Sequence, residues 1–166
     1  MKTSFLILGV VVALSGSVLA DATITVNGVH NCCGGCAKGI AKAIESVKGA
    51  TAALDGETVT ITAKNTPTAK KAFEALVGAG YSGTGEGVEA PKEASSTRVL
   101  KGATVSGAHL CCGKCVKAVE KAVASVKGVT GSKIESKASV FEVEGEFSEG
   151  DLIVVLNKAG FHGVVK

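Results

Sequence analysis

The chain of 166 residues has no tryptophan, one tyrosine and two prolines, and its acidic and basic side chains nearly cancel at a net charge of +3. So weak a balance, with aromatics at 4%, excludes the usual footprint of a nucleic-acid binder, a strongly basic face with stacking rings. No apolar run approaches the roughly twenty residues that a transmembrane helix needs. A mean hydropathy of +0.35 owes much to the N-terminal segment and to alanine and valine, so it does not argue for a membrane protein. No Ser/His/Asp constellation, phosphate-cradling glycine loop or pair of carboxylates stands out, and no enzymatic activity is expected.

What is present begins with a segment that reads as an address rather than as fold. Lys2 supplies a positive n-region, Phe5 to Leu14 is almost unbroken apolar sequence, and Val18-Leu19-Ala20 is a small-residue cleavage pattern. Residues 1–20 are therefore expected to be a signal peptide, cut after Ala20. Position 21 is Asp, so no cysteine follows the cut to take a lipid. The expected product is exported, periplasmic or secreted, without stable membrane insertion.

Six cysteines in an exported chain would ordinarily suggest disulfides. Here they fall in two tight groups of three, and the groups belong to a duplication. His30–Gly49 and His109–Gly128 are identical at 12 of 20 positions, including the His, the three Cys, Gly34/Gly113 and the Ser-Val-Lys-Gly ending. The match resumes at Gly80-Tyr81 against Gly160-Phe161. Two copies are too few for a solenoid. They read as two similar domains, 21–84 and 98–166, joined by a linker over 85–97 that is rich in Gly, Glu, Ser and Ala.

Each repeat switches period in the same order. Ile24 and Val26 alternate with threonine, as in a strand. A helix is expected from about Cys36, with Ile40, Ile44 and Val47 on one face and Lys38 and Lys42 outside. The second repeat answers with Val119, Val123 and Val126, and with Lys117 and Lys121. Gly49 and Gly128 suit helix C-termini. Strand-like stretches follow at Thr51–Leu54 and Thr58–Ala63, then at Val129–Glu135 and Ser139–Glu144, with Asp55-Gly56 as a turn. A second helix opens at Thr66-Pro67, a cap followed by proline, with Phe73, Leu76 and Val77 inward. Its counterpart opens at Ser148 with Asp151 in an approximate capping box, and with Leu152, Val155 and Leu156 inward. A last short strand follows Tyr81 and Phe161. The order is βαββαβ, an α+β split-βαβ arrangement, twice over.

Each cysteine loop lies between a strand and a helix start. Unpaired N–H groups and the positive end of the helix dipole favour thiolate there, so Cys33 and Cys36 are both expected to have lowered pKa values, as are Cys112 and Cys115. Cys32 and Cys111 add a third sulfur to each loop, and His30 and His109 an imidazole. Three sulfurs and one nitrogen make a tetrahedral set for Zn(II), whereas two or three sulfurs alone suit Cu(I). His162 has Ser82 as its counterpart and reads as a solvated histidine.

The run Val26-Asn-Gly…Cys33-Gly-Gly-Cys36-x3-Ile40-x3-Ile44…Gly80-Tyr81 resembles the heavy-metal-associated domain, and Cys112-Gly-Lys-Cys115-x3-Val119-x3-Val123…Gly160-Phe161 resembles it equally. That family includes copper chaperones and the N-terminal modules of metal-pumping P-type ATPases. The resemblance implies a ferredoxin-like βαββαβ fold, a soft metal held by Cys33/Cys36 and by Cys112/Cys115, and no catalysis. It also implies a metal-transport or metalloprotein partner. Where the family usually has methionine the chain has Asn31 and Leu110. Where it has a small polar residue the chain has Cys32 and Cys111, which, like His30 and His109, inherit no role.

The sequence thus points to a metal-binding protein with up to one soft ion, Cu(I) or Zn(II), per domain, serving sequestration, buffering or delivery. The alternatives are an extracytoplasmic thiol-disulfide protein using the CxxC pairs, or a module whose loops pair covalently with a partner. A thioredoxin-type domain is disfavoured by the missing tryptophan and by the positions of Pro67 and Pro91.

Overall fold

The computed structural model describes residues 21–86, 88 and 92–166. The expected signal peptide, residues 1–20, lies outside the described residues, as does Pro91.

The described residues form a mixed α/β fold, with four α-helices and antiparallel sheets. In the N-terminal half, β1 (Ala22–Val26), α1 (Gly34–Glu45), β2 (Ala50–Asp55), β3 (Thr58–Ala63) and α2 (Thr66–Gly78) follow one another, and the sheet order is β1-β3-β2. Period-two alternation sends Ile24 and Val26 from β1, and Val59, Ile61 and Ala63 from β3, to one buried face. That face meets Ile40 and Ile44, four apart on α1, and Ala69, Ala72 and Leu76 of α2. The large side chains among these, which are 0–7% exposed, are each worth about 1.5–3 kcal/mol of burial.

The C-terminal half repeats the plan with a complete set of strands. After β4 (Val99–Leu100), the elements are β5 (Ala103–Ser106), α3 (Gly113–Ala124), β6 (Val129–Lys133), β7 (Val140–Gly145), β8 (Phe147–Ser148), α4 (Glu149–Lys158) and β9 (Val164–Val165). The main sheet runs β6-β7-β5-β9, and β4 pairs separately with β8. In the N-terminal half the last expected strand is reduced to one bridge, Asn27 with Thr84. Glycines at 83 and 85 flank that bridge, and an added Cβ on Gly85 would strike the Thr25 carbonyl. Glycine gives a strand little to pack, which stops the pairing there.

Several details differ from the sequence reading. The N-cap of α2 is Asn65, one residue before Thr66, and its side chain accepts from the Thr68 N–H at 2.9 Å. Small Ala69 and Ala72 face the core, while Phe73 and Val77 are only half-buried. On α4, Ile153 is buried and Val155 is not. The expected cap of α4 holds, with Ser148 accepting from the Asp151 N–H at 3.3 Å. The segment expected as a linker contains a 3-10 turn, Lys92–Ser95, packed on α4. Just beyond it, Ser96 and Arg98 both bind the Glu149 carboxylate, which Arg98 above all holds below the usual carboxylate range.

The halves are joined by a reciprocal seam. The Gly160 carbonyl accepts from the N–H groups of His30 (3.4 Å) and Ser82 (2.9 Å), and the Gly80 carbonyl accepts from His109 (3.3 Å) and His162 (3.0 Å). Tyr81 and Phe161, both fully buried, bridge each other in antiparallel fashion between these glycines. The buried residues of the two halves accordingly form one continuous core.

Candidate metal centre

The seam brings the two cysteine loops face to face. Cys33 and Cys112 are the N-caps of α1 and α3, both extended (φ −163° and −156°), and Cys36 and Cys115 occupy the first turns, fully buried. Cys32 and Cys111 immediately precede the caps. With 3.6 residues per turn, a sulfur at the cap and another three residues on share one side of the helix start.

Nine sulfur pairs lie between 3.5 and 3.9 Å. Five of them join the loops: Cys36 to Cys111 (3.5 Å), Cys36 to Cys115, Cys32 to Cys115 and Cys33 to Cys111 (each 3.8 Å), and Cys32 to Cys112 (3.9 Å). Within loops, Cys32 and Cys33 each stand 3.8 Å from Cys36, Cys111 stands 3.6 Å from Cys115, and Cys112 stands 3.9 Å from Cys115. Three further pairs, 32/33, 33/112 and 111/112, come within 4.8 Å. All six are free thiols, with no pair near the bonding distance of about 2.05 Å. Here the structure departs from the sequence reading. In place of one site per domain, both loops share a single cluster. The duplication was visible in sequence, but the pairing of loop against loop depends on the seam at Gly80 and Gly160, whose partners are far apart in the chain.

The histidines flank this cluster. A ring nitrogen of His30 lies within 4.8 Å of the sulfurs of Cys32, Cys36 and Cys115, so the three-sulfur, one-nitrogen set draws on both loops. His30 packs on Phe161 (centroids 4.4 Å apart), and His109 stacks on Tyr81 (4.5 Å), each pair crossing the seam. Nε2 of both histidines is buried without a hydrogen-bond partner among the described residues. Burial lowers both pKa values, so both imidazoles are neutral at pH 7, the form that ligates metal. An orphaned buried nitrogen carries a desolvation cost that a ligated ion would relieve. His162 lies elsewhere, in a cavity of about 100 Å³ lined by Glu93, Glu149 and Ile153. Sequence reasoning used Tyr81 to align the repeats but gave it no role at the site. Its hydroxyl donates to the Cys36 carbonyl at 3.2 Å, and burial holds it well above its usual pKa.

The thiols divide by position. The backbone N–H groups of Cys36 and Gly35 lower the Cys33 pKa, and those of Cys115 and Lys114 bring Cys112 down to about 6. Burial raises Cys32, Cys111 and Cys115. The expectation of a lowered value thus fails for Cys115, because the helix turn that donates its N–H groups to Cys112 also sinks Cys115 into the core. In the reduced, metal-free chain, a limiting dose of iodoacetamide at pH 7 should label Cys112 and Cys33 first. Peptide mapping by mass spectrometry reads this, and equal labelling of all six would overturn the assignment. Because Cys32, Cys111 and Cys115 hold their protons, loading a cation must release protons to solvent.

Residues 104–162 match the family model of the heavy-metal-associated domain. No curated protein compared with the chain is a significant match. Among solved structures, the N-terminal soluble domains of Bacillus subtilis CopA are similar at 18% identity, with 90% of this chain and 96% of that chain covered, at a TM-score of 0.31. The water-soluble region of the P-type ATPase CopA from Bacillus subtilis is similar at 18% identity, with 90% and 93% covered, at a TM-score of 0.32.

Proposed function

We propose that the chain is an exported heavy-metal-binding protein, built of two tandem ferredoxin-like domains over 21–84 and 98–166. Its ligands are Cys32, Cys33, Cys36, Cys111, Cys112 and Cys115, with His30 and His109 at the margin. Its role is to sequester, buffer or deliver a thiophilic ion outside the cytoplasm, without catalysis, and to exchange it with a metal-transport or metalloprotein partner. The observation that carries this reading is the convergence of six free thiols, three from each loop, with neighbouring sulfurs 3.5–3.9 Å apart. Sulfurs at that spacing suit a shared soft cation, and the family match over 104–162 supports the same chemistry.

A thiol-disulfide reading draws on the lowered pKa of Cys112, which makes it a ready nucleophile. Metal content and free-thiol count, measured on protein prepared without oxygen or chelators, separate the two. Bound Cu or Zn and six titratable thiols after metal removal support the proposal. Serine at both Cys36 and Cys115 should abolish tight binding, since each lies within 3.8 Å of three or more other sulfurs. Failure of the reduced chain to bind Cu(I), Zn(II), Cd(II) or Hg(II) would sink the proposal.

A further inference from the structure

The arrangement of the sulfurs says more than their number. The nine pairs at 3.5–3.9 Å and the three others within 4.8 Å are together the twelve edges of an octahedron. Cys32 then stands opposite Cys111, Cys33 opposite Cys115, and Cys36 opposite Cys112. The twelve edges bound eight faces, which fall into two alternating sets of four, and the triads 32/36/115, 32/33/112, 33/36/111 and 111/112/115 make up one set. Any two of these share a single vertex, so they are four alternating faces. Each sulfur belongs to two of them.

We infer that the six sulfurs form one cage for four monovalent thiophilic cations of the Cu(I) class, one on each of these four faces, every thiolate bridging two ions. The inference rests on the soft-metal reading above and sets its stoichiometry and ion class. The 32/36/115 face has three 3.8 Å edges, so its centre is 3.8/√3, about 2.2 Å, from each sulfur, close to the ~2.3 Å of a zinc–thiolate bond. The centre of the octahedron is 3.8/√2, about 2.7 Å, from all six, too far for a metal–thiolate bond of that length. The cage therefore binds on its faces and not at its middle.

Charge selects the valence. Six thiolates and four monovalent ions leave a net charge of −2, and the N-termini of α1 and α3 both open onto the cluster at Cys33 and Cys112. The two positive dipole ends, each about half an elementary charge, offset roughly one of the two net negative charges. Four divalent ions would leave +2 against those same ends. They would also be held three-coordinate where Zn(II) takes four ligands. Loading involves no redox step: the thiols that still carry protons release them to solvent as four cations enter.

The test is an anaerobic titration of the reduced full chain with Cu(I), read by native mass spectrometry and by X-ray absorption at the copper edge. The expected result is a cooperative passage from metal-free chain to four Cu(I) per chain, with three sulfurs around each copper. A copper–copper shell is expected at about two thirds of the 3.8 Å edge, or roughly 2.5 Å. Changing both Cys32 and Cys111 to serine should remove the four-ion state. Two Cu(I) per chain with no copper–copper scattering would mean independent CxxC sites, and so would an unchanged four-ion state in the double variant mean that the cage is not the one described. Either result overturns the inference and leaves the soft-metal reading standing. One Zn(II) per chain at His30, Cys32, Cys36 and Cys115, with no Cu(I) cluster, also overturns it. Absence of all thiophilic binding overturns both. If the double variant does not fold, the wild-type stoichiometry and scattering decide alone.

Discussion

Replacing either Gly80 or Gly160 with alanine should part the two halves and cost at least a hundredfold in affinity for the clustered metal. At Gly160 an added Cβ would run into the backbone N of His30 and the carbonyl of Gly28, and at Gly80 into the Gly107 carbonyl and the N of His109. These obstacles are main chain from the opposite half, so no rotamer change relieves them. Both glycines also have positive φ (+88° and +82°), where alanine pays about 1–2 kcal/mol whatever its neighbours. Gly49 separates the two effects. It has φ +86°, but its added Cβ would meet only the flexible Lys64 side chain, at 3.3 Å. Gly49→Ala should therefore lose about 1 kcal/mol of stability with metal binding unchanged. Gly80→Ala and Gly160→Ala should show a larger radius of gyration in small-angle scattering. They should also lose roughly 3 kcal/mol of binding free energy, which is the hundredfold expressed at 1.4 kcal/mol per decade. A Gly160→Ala chain as compact and as metal-avid as the wild type would show that the seam does not hold the loops together.

Local pattern carried much of this molecule. Alternation placed β1 and β3, the four-residue spacing of Ile40 and Ile44 placed the buried stripe of α1, and Cys33 fell at a helix cap as its loop position implied. What pattern could not reach was set by contacts distant in sequence. Ala69 and Ala72 take the fully buried positions of α2, and Phe73 packs against the core only half-buried. The expected separate sites became one because Gly80 and Gly160 each turn a carbonyl toward two N–H groups of the other half. The same burial reversed the expected pKa shift at Cys115. The sequence offers His30 and His109 as candidate ligands by their place in both loops, but not what their rings pack on. Their ring partners, Phe161 and Tyr81, come from the opposite repeat.

The two repeats differ in a compensated way that gives a second large effect. Tyr81 and Gly39 in the first correspond to Phe161 and Ala118 in the second. A Cβ on Gly39 would collide with the Tyr81 hydroxyl and come within 3.4 Å of the His109 ring, whereas Phe161 has no hydroxyl and its helix carries alanine. Gly39→Ala should therefore destabilise the reduced, metal-free chain by about 2–3 kcal/mol through overpacking of a site that is already full. Tyr81→Phe alone should cost about 1 kcal/mol, the net worth of its bond to the Cys36 carbonyl. The double variant reproduces the arrangement of the second repeat. It should be no less stable than Tyr81→Phe, because alanine also favours the interior of α1 over glycine by about 1 kcal/mol. The coupling of roughly 2–3 kcal/mol, measured by urea unfolding of the four proteins, is the signature of direct contact. In the second repeat Phe161→Tyr should be harmful with Ala118 present and tolerated with Ala118→Gly. Purely additive losses in both repeats would mean that Tyr81 does not seat against α1 beside Cys36, and that the first turn of the metal loop is positioned by something else.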